Sequence, residues 1–287
     1  MTLGKALEMN EASHKYPNGH ETLHGVSIQV DMGERVAVVG PNGAGKSTFI
    51  MVAAGLYRPS SGSVRLFDTE TFSEEFRRIR QKIGVVFQDP DDQLFCPTIW
   101  DDVIFGPTNI GLPEEEVIKR GKRALADVGL VGYELREPYR LSVGEKKKAA
   151  IAATLALEPE ILLLDEPTAN LEPVAKRELI DLLNGLHIER ELTMIVSAHD
   201  VDIIPYIAER VYVLNNGRIM AEGDTSKVFS DFSLLESCRL EPPIVAKLFR
   251  AMNDGFGLNI DPIPMTIEEG LEIMKSLQSR TRAGKAC

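Results

Sequence analysis

The sequence has few of the features that mark secreted or membrane-spanning proteins. Only three of its 287 residues are cysteine, namely Cys96, Cys238 and Cys287, and their wide spacing predicts neither a disulfide framework nor a zinc site. No apolar run approaches the roughly 18 residues that a membrane helix needs, and residues 1–16 lack the apolar core of a signal peptide. We therefore expect a soluble intracellular protein that reaches a membrane only through a partner.

Basic residues are outnumbered by acidic ones. The chain carries 32 Lys and Arg against 43 Asp and Glu, a formal net charge of −11. This balance argues against a protein that holds nucleic acid through phosphate contacts, and we predict no nucleic-acid partner. Apolar residues at 44% and charged residues at 26% are ordinary values for a globular protein.

Short apolar runs alternate with helical stretches, which predicts an α/β core with a mostly parallel sheet. The predicted core strands are Glu34–Gly40, Lys82–Phe87, Ile161–Leu164, Leu192–Ser197 and Arg210–Leu214. The predicted helices are Lys46–Gly55, Glu114–Val128, Val143–Leu157 and Pro173–Leu186. The segments Ala6–Tyr16, Leu23–Val30 and Ser63–Phe67 indicate an antiparallel side sheet, and Asn215-Asn216-Gly217 indicates a hairpin turn.

After about Ser230 the sequence changes to helical fragments interrupted by prolines, among them a predicted helix at Glu241–Met252. We predict a small, separate C-terminal subdomain over residues 230–287, and a frayed end over residues 278–287.

A phosphate-binding pattern lies between a predicted strand and a predicted helix. It fits G-x-x-x-x-G-K-[ST] and consists of Gly40, Pro41, Asn42, Gly43, Ala44, Gly45, Lys46 and Ser47, followed by Thr48. Its glycines let main-chain N–H groups surround a phosphate chain, Lys46 would reach the terminal phosphates, and the Ser47 hydroxyl would ligate Mg²⁺. The alternative is a glycine-rich turn that happens to precede Lys-Ser.

Two carboxylates, Asp165 and Glu166, follow the apolar run 161–164. Asp165 would lie beside the phosphate loop and hold Mg²⁺. Glu166 would face the γ-phosphate and polarise an attacking water. Taken alone, the pair could also be acidic turn residues at a strand end.

In this order and spacing the two motifs resemble those of the ATP-binding cassette (ABC) ATPases, and the resemblance runs from about Leu7 to Val228. It implies a P-loop NTPase core that binds and hydrolyses ATP with Mg²⁺. Tyr16 matches the residue that stacks on adenine, Gln88 the glutamine that senses Mg²⁺ and water, and His199 the histidine that contacts the γ-phosphate. Taken singly, these three could be an edge-strand aromatic, a polar loop residue and a structural histidine.

Leu141–Glu145 resembles the family's signature loop, which caps the ATP held by a second ATPase subunit, so Ser142, Gly144 and Glu145 are implied ATP contacts. Val143 replaces the usual glycine, and Glu145 the commoner glutamine. We expect Val143 to have an ordinary φ, as in the first turn of a helix. Glu172 stands where the family usually has aspartate. The neighbouring lysines 146–148 are predicted to form a solvated helix face.

The segment FQDPDDQLF at residues 87–95 and the Pro-Pro-containing tail resemble the ATPases of cobalt and energy-coupling-factor importers. The resemblance implies a peripheral ATPase at the cytoplasmic face of the membrane that energises uptake of transition-metal ions (cobalt or nickel) or vitamins. It implies a homodimer or a paralogous heterodimer, and membrane subunits bound through the Gln88–Phe95 loop. The cassette would span residues 1–229, with a helical signature subdomain at about 96–158, and residues 230–287 would help dimerisation. The alternative function is a soluble ABC-type regulator or assembly factor.

Overall fold

The computed structural model describes residues 4–284 and contains two sheets. The larger sheet has the order β10-β9-β3-β8-β7-β6, and all of its neighbouring strands are parallel except the β9–β10 hairpin. Its strands are β3 (Arg35–Val39), β6 (Ile83–Val86), β7 (Ile161–Asp165), β8 (Thr193–Ala198), β9 (Arg210–Asn215) and β10 (Arg218–Asp224). The predicted parallel core and the 215–217 turn are confirmed.

The smaller sheet is antiparallel, as predicted, with the order β2-β1-β4-β5. It consists of β1 (Lys5–Lys15), β2 (Glu21–Asp31), β4 (Ser61–Leu66) and β5 (Thr69–Glu70). Successive residues of β3 face opposite sides of the larger sheet. Val36 and Val38 join the core shared with the smaller sheet, whereas Ala37 and Val39 join the core beneath the helices. This two-sided burial explains the continuous apolar runs.

Eleven helices accompany the sheets within the described residues, and four of the first six correspond to predicted ones. The helices as far as the middle of the chain are α1 (Lys46–Ala53), α2 (Phe76–Ile79), α3 (Ile99–Asn109), α4 (Glu114–Asp127), α5 (Val143–Leu155) and α6 (Pro173–Arg190). Helix α2 was not predicted, and α3 was predicted only as part of the helical subdomain at about 96–158, without its own bounds. Helix α3 begins at the N-cap Thr98 and continues through Pro107, and it packs with α4 and α5 as a helical layer.

The last five helices are α7 (Ile204–Ile207), α8 (Thr225–Ser230), α9 (Phe232–Ser237), α10 (Ile244–Phe256) and α11 (Ile267–Gly284). Leu235 and Ala246 are buried in the same core as β7 and β8, so α9 and α10 pack directly on the cassette. That residues 230–287 act as a separate unit stays a prediction. Helix α11 includes most of the stretch predicted to fray, and residues 285–287 lie outside the described residues. No helix in the described range is long and apolar enough to cross a membrane.

Tyr212 of β9 joins the two sheets. Its ring is fully buried, and its hydroxyl donates to the Gln29 carbonyl at 2.9 Å and accepts from the Gln29 N–H at 3.2 Å. Burial raises the pKa of Tyr212 to about 12, so the hydroxyl keeps its proton at neutral pH.

We expect Tyr212→Phe to lower the free energy of unfolding by about 0.5–1.5 kcal/mol, because it removes the hydrogen bonds of the hydroxyl to the Gln29 main chain, whose carbonyl keeps the Arg210 guanidinium as a partner. Urea denaturation measures this change. Tyr139→Phe is the matched control, since that ring is 70% exposed; equal effects in the two variants would contradict the role of the Tyr212 hydroxyl.

Candidate active site

The phosphate loop connects β3 to α1 and leaves no room for larger side chains at two of its glycines. A Cβ on Gly40 would lie 2.2 Å from the Leu214 carbonyl oxygen, and one on Gly45, whose φ is +105°, would lie 2.8 Å from the Thr22 carbonyl oxygen. The loop therefore runs directly against β9 and β2, and α1 begins at Lys46 with its N–H groups toward the loop.

The Lys46 ammonium is almost fully buried, with 5% of the residue exposed. It donates to the carbonyls of Gly40 at 3.0 Å and Pro41 at 3.2 Å, and it pairs with Glu166 Oε1 at 3.0 Å. The positive charge predicted to face phosphate thus lies within contact distance of the predicted catalytic carboxylate.

Asp165 and Glu166 are held in place by Ser197 of the neighbouring strand β8. The Ser197 hydroxyl donates to Asp165 Oδ1 at 2.5 Å and accepts from the Glu166 N–H at 3.0 Å. Glu166 has φ +43°, a left-handed conformation that is uncommon outside glycine and that clusters at functional sites. This turn separates the directions of the two carboxylates.

The second oxygen of Glu166 faces two further predicted residues. Its Oε2 lies 2.8 Å from His199 Nδ1 and accepts from Gln88 Nε2 at 3.4 Å. The structure therefore places Lys46, Gln88 and His199 around one nearly buried carboxylate, although these three residues and Glu166 come from four separate segments of the chain. Polar partners on both oxygens thus fix the direction of the carboxylate that is predicted to act as the general base.

Tyr16 lies on a cleft of about 350 Å³, which is also lined by the phosphate loop, Thr48 and Glu166. Its hydroxyl is 3.0 Å from Thr48 Oγ1, so the ring is tied to helix α1. His20 also lines this cleft, although no motif in the sequence singles it out.

The residues predicted to hold Mg²⁺ share a second cleft of about 1000 Å³, which is lined by Ser47, Gln88 and Asp165. All three offer oxygen ligands. Within the described part of the chain no group of three or more His, Cys, Asp or Glu forms a metal site. A hydroxyl, an amide and one carboxylate fit Mg²⁺, which takes few protein ligands and completes its shell with phosphate oxygens and water.

The signature loop forms the start of α5. Ser142 is the N-cap, and Glu145 completes a capping box by accepting from the Ser142 N–H at 2.8 Å. Val143 is the first helical residue, as expected, and is 46% exposed. The Tyr133 hydroxyl, in the segment between α4 and α5, donates to Glu145 at 2.9 Å. The hydrogen-bond partners of these side chains therefore lie in or next to the helical layer. The loop is thus presented outward and makes no hydrogen bond to its own phosphate loop among the described residues.

The predicted solvated face of lysines 146–148 is wrong for its middle member. Lys146 and Lys148 pair with Asp91 and Glu178 near the surface, but Lys147 is only 3% exposed. Its amine donates to the main-chain carbonyls of Glu166 and Gln88. Lys147 shares a helix face with the buried residues Ile151 and Thr154, and this helical spacing was the signal that the run of three lysines concealed.

A glycine-rich phosphate loop, a lysine inside it and a carboxylate at the end of another parallel strand of the same sheet define a P-loop ATPase. Comparison with known proteins specifies the class further. Residues 23–169 match the ABC transporter family. The chain is 46% identical over 267 residues to the energy-coupling factor transporter ATP-binding protein EcfA of Methanothermobacter thermautotrophicus, an alignment covering 92% of this chain and 84% of that protein.

Solved structures agree. CbiO1 from Clostridium perfringens, part of the ABC transporter complex cbiONQ, has a TM-score of 0.74 and 36% identity over 86% of this chain and 99% of its own. The dimeric cassette MJ0796 bound to ADP and Pi has a TM-score of 0.69 and 28% identity over 76% of this chain and 98% of its own. The chain belongs to the ABC transporter family: it is an ATP-binding, ATP-hydrolysing subunit of the energy-coupling type.

Lys46→Ala should lower the affinity for ATP, because it removes the charge that is predicted to face the β- and γ-phosphates. Equilibrium titration with a fluorescent ATP analogue measures the change. Lys148→Ala removes a lysine from the surface of α5 and should leave affinity unchanged. If Lys46→Ala binds the analogue as tightly as the wild type, the phosphates bind elsewhere.

Proposed function

We propose that this protein energises a membrane importer of transition-metal ions, such as cobalt or nickel, or of vitamins, and that it binds at the cytoplasmic face of the membrane. The observation that carries the ATPase chemistry is the Glu166 carboxylate, which contacts Lys46, Gln88 and His199. The transport role is supported by the similarity to an energy-coupling factor ATPase and to a cassette of the cbiONQ complex.

In this proposal ATP lies along the phosphate loop. Tyr16 stacks on adenine, the loop N–H groups and Lys46 bind phosphate oxygens, and Thr48 holds the Tyr16 hydroxyl. Ser47, Gln88 and Asp165 would hold Mg²⁺, which neutralises charge on the β- and γ-phosphates when bound.

Glu166 is the general base of the proposed mechanism. It accepts a proton from the attacking water on Oε1, the oxygen that Lys46 contacts, and Gln88 and His199, which both contact its Oε2, hold the carboxylate in place. Ser197 holds the Glu166 N–H and the carboxylate of the preceding residue, Asp165. General-base catalysis of this kind contributes about 10²–10⁴-fold to a rate.

The outward-facing start of α5 supports a sandwich dimer with a second copy or a paralogue. Ser142 and Gly144 would contact the γ-phosphate of the ATP bound by the partner, at a helix N-terminus that favours anions. Glu145 would act indirectly, because its carboxylate already caps its own helix. The similar cassette MJ0796 is a dimer, and we propose that residues 230–287 add to the dimer contact.

The Gln88–Phe95 loop is the proposed contact for membrane subunits. Phe95 is 65% exposed and packs edge to face on Phe105, beside the 1000 Å³ cleft that Asp91 and Asp92 line. Asp91 already pairs with Lys146 at 2.6 Å. The two carboxylates suit a basic side chain of the membrane subunit, such as an arginine, which can pair with a carboxylate through two hydrogen bonds. Such an arginine would meet Asp92 directly and would compete with Lys146 for Asp91.

Glu166→Gln should abolish turnover while preserving ATP binding, because the amide keeps the volume but cannot accept the proton. It should also trap an ATP-loaded dimer. ATPase assays and light scattering with ATP measure the two effects. Turnover within about threefold of the wild type would rule out Glu166 as the base, given the usual contribution of a general base.

Replacing both Asp91 and Asp92 by lysine should weaken capture of integral membrane subunits from detergent-solubilised membranes, because like charges then meet in the contact. ATP binding by the isolated protein should stay nearly unchanged. The double variant Asp181→Lys, Glu189→Lys makes the same change of charge at exposed positions of α6 and is the matched control. Normal assembly and transport by the Asp91/Asp92 variant would exclude this contact, and capture of only soluble partners by the wild type would favour a regulator or assembly factor instead.

A further inference from the structure

Lys147 has no part in the mechanism described above, yet its amine lies between two segments of the active site. Only 3% of the residue is exposed. The ammonium donates to the Glu166 carbonyl at 3.1 Å and to the Gln88 carbonyl at 3.3 Å. Lys147 is thus the point at which the signature helix α5 is hydrogen-bonded to the main chain of both residues.

Burying this amine is unfavourable for the charge. Both of its hydrogen-bond partners in the described chain are uncharged carbonyls, and burial lowers the pKa of Lys147 to about 8, against the opposing pull of the Glu166, Asp89 and Asp165 carboxylates. An apolar side chain of similar length would avoid this cost of desolvation. A contribution to packing therefore does not account for a lysine at this position.

The two carbonyls belong to backbone whose geometry decides where the catalytic side chains point. Glu166 is in the left-handed region with φ +43°. Its N–H is held by Ser197, and its carbonyl accepts from Lys147 and from the Ala169 N–H at 3.0 Å. On the other side, Gln88 has its carbonyl held by Lys147 and its side chain turned to Glu166. Without the Lys147 ammonium, the main chain of Glu166 loses one of the two side-chain hydrogen bonds that hold it and keeps the one with Ser197.

We propose that Lys147 is a positioning residue for ATP hydrolysis, which ties the helix beginning at Ser142 to the main chain of Gln88 and Glu166. This inference rests on the proposed roles of those two residues. Lys147 lies five positions after Ser142 on α5, so a shift of the helix when Ser142 engages the partner's nucleotide is passed to the base and to the glutamine of the same subunit.

Lys147→Met tests the proposal, because methionine has a similar length and no donor. We expect kcat to fall about 10- to 100-fold, the usual consequence of misplacing a catalytic group by about 1 Å. Binding of a fluorescent ATP analogue should change less than about twofold, since no ground-state contact is removed. Lys148→Met, which removes a surface pair on the same helix, should keep kcat and affinity at wild-type values.

Combining Lys147→Met with Glu166→Gln separates positioning from support of the helix. The combined variant should still form the ATP-trapped dimer seen by light scattering, because Ser142 and the phosphate loop are untouched. Loss of the dimer, or a kcat of Lys147→Met within about threefold of the wild type, a change too small for a displaced catalytic group, would overturn the proposal. If Lys147→Met does not fold, Lys147→Gln decides, since its shorter amide cannot reach both carbonyls: a lowered kcat supports the proposal and an unchanged kcat overturns it. Persisting turnover in Glu166→Gln alone would instead refute the role of Glu166.

Discussion

The nearly buried ion pair between Lys46 and Glu166 is the contact around which the site is organised. Desolvating two charges costs several kcal/mol per ion, so such a pair persists only where further hydrogen bonds satisfy both groups. The structure supplies them: loop carbonyls for Lys46, and Gln88 and His199 for Glu166. In the proposed mechanism, phosphate oxygens compete with Glu166 for Lys46. ATP would thereby release one carboxylate oxygen close to the water that it must deprotonate.

The parallel sheet brings this pair together. Strand β8 lies between β3 and β7, and its Ser197 pairs in register with Asp165. The phosphate loop follows β3, and the two carboxylates mark the end of β7, so both reach the same edge of the sheet. With apolar cores on both faces, the strands have little freedom to shift, and the distances in the site inherit that rigidity.

Local patterns predicted the parallel strands, the phosphate loop and the helical φ of Val143, because each of these depends on neighbours in the sequence. The bounds of helix α3 were not predicted within the expected helical subdomain, since the glycine and proline at 106 and 107 and the acidic pair 101–102 obscure its apolar spacing. The contacts between Glu166, His199 and Gln88 could not be predicted from spacing, because they depend on which strands are adjacent and in what register. Burial of Lys147 was missed because a run of three lysines looks like a solvated face.

The pairing of Asp91 with Lys146 affects how assembly with a membrane subunit would respond to ionic strength. If a partner arginine takes Asp91 from Lys146, association exchanges one ion pair for another and creates no additional one at that position. Screening by salt acts on the contact that is lost as well as on the contact that is gained. The complex would then tolerate salt better than a count of its intermolecular ion pairs suggests, and its affinity would depend more on the exposed ring of Phe95 beside them.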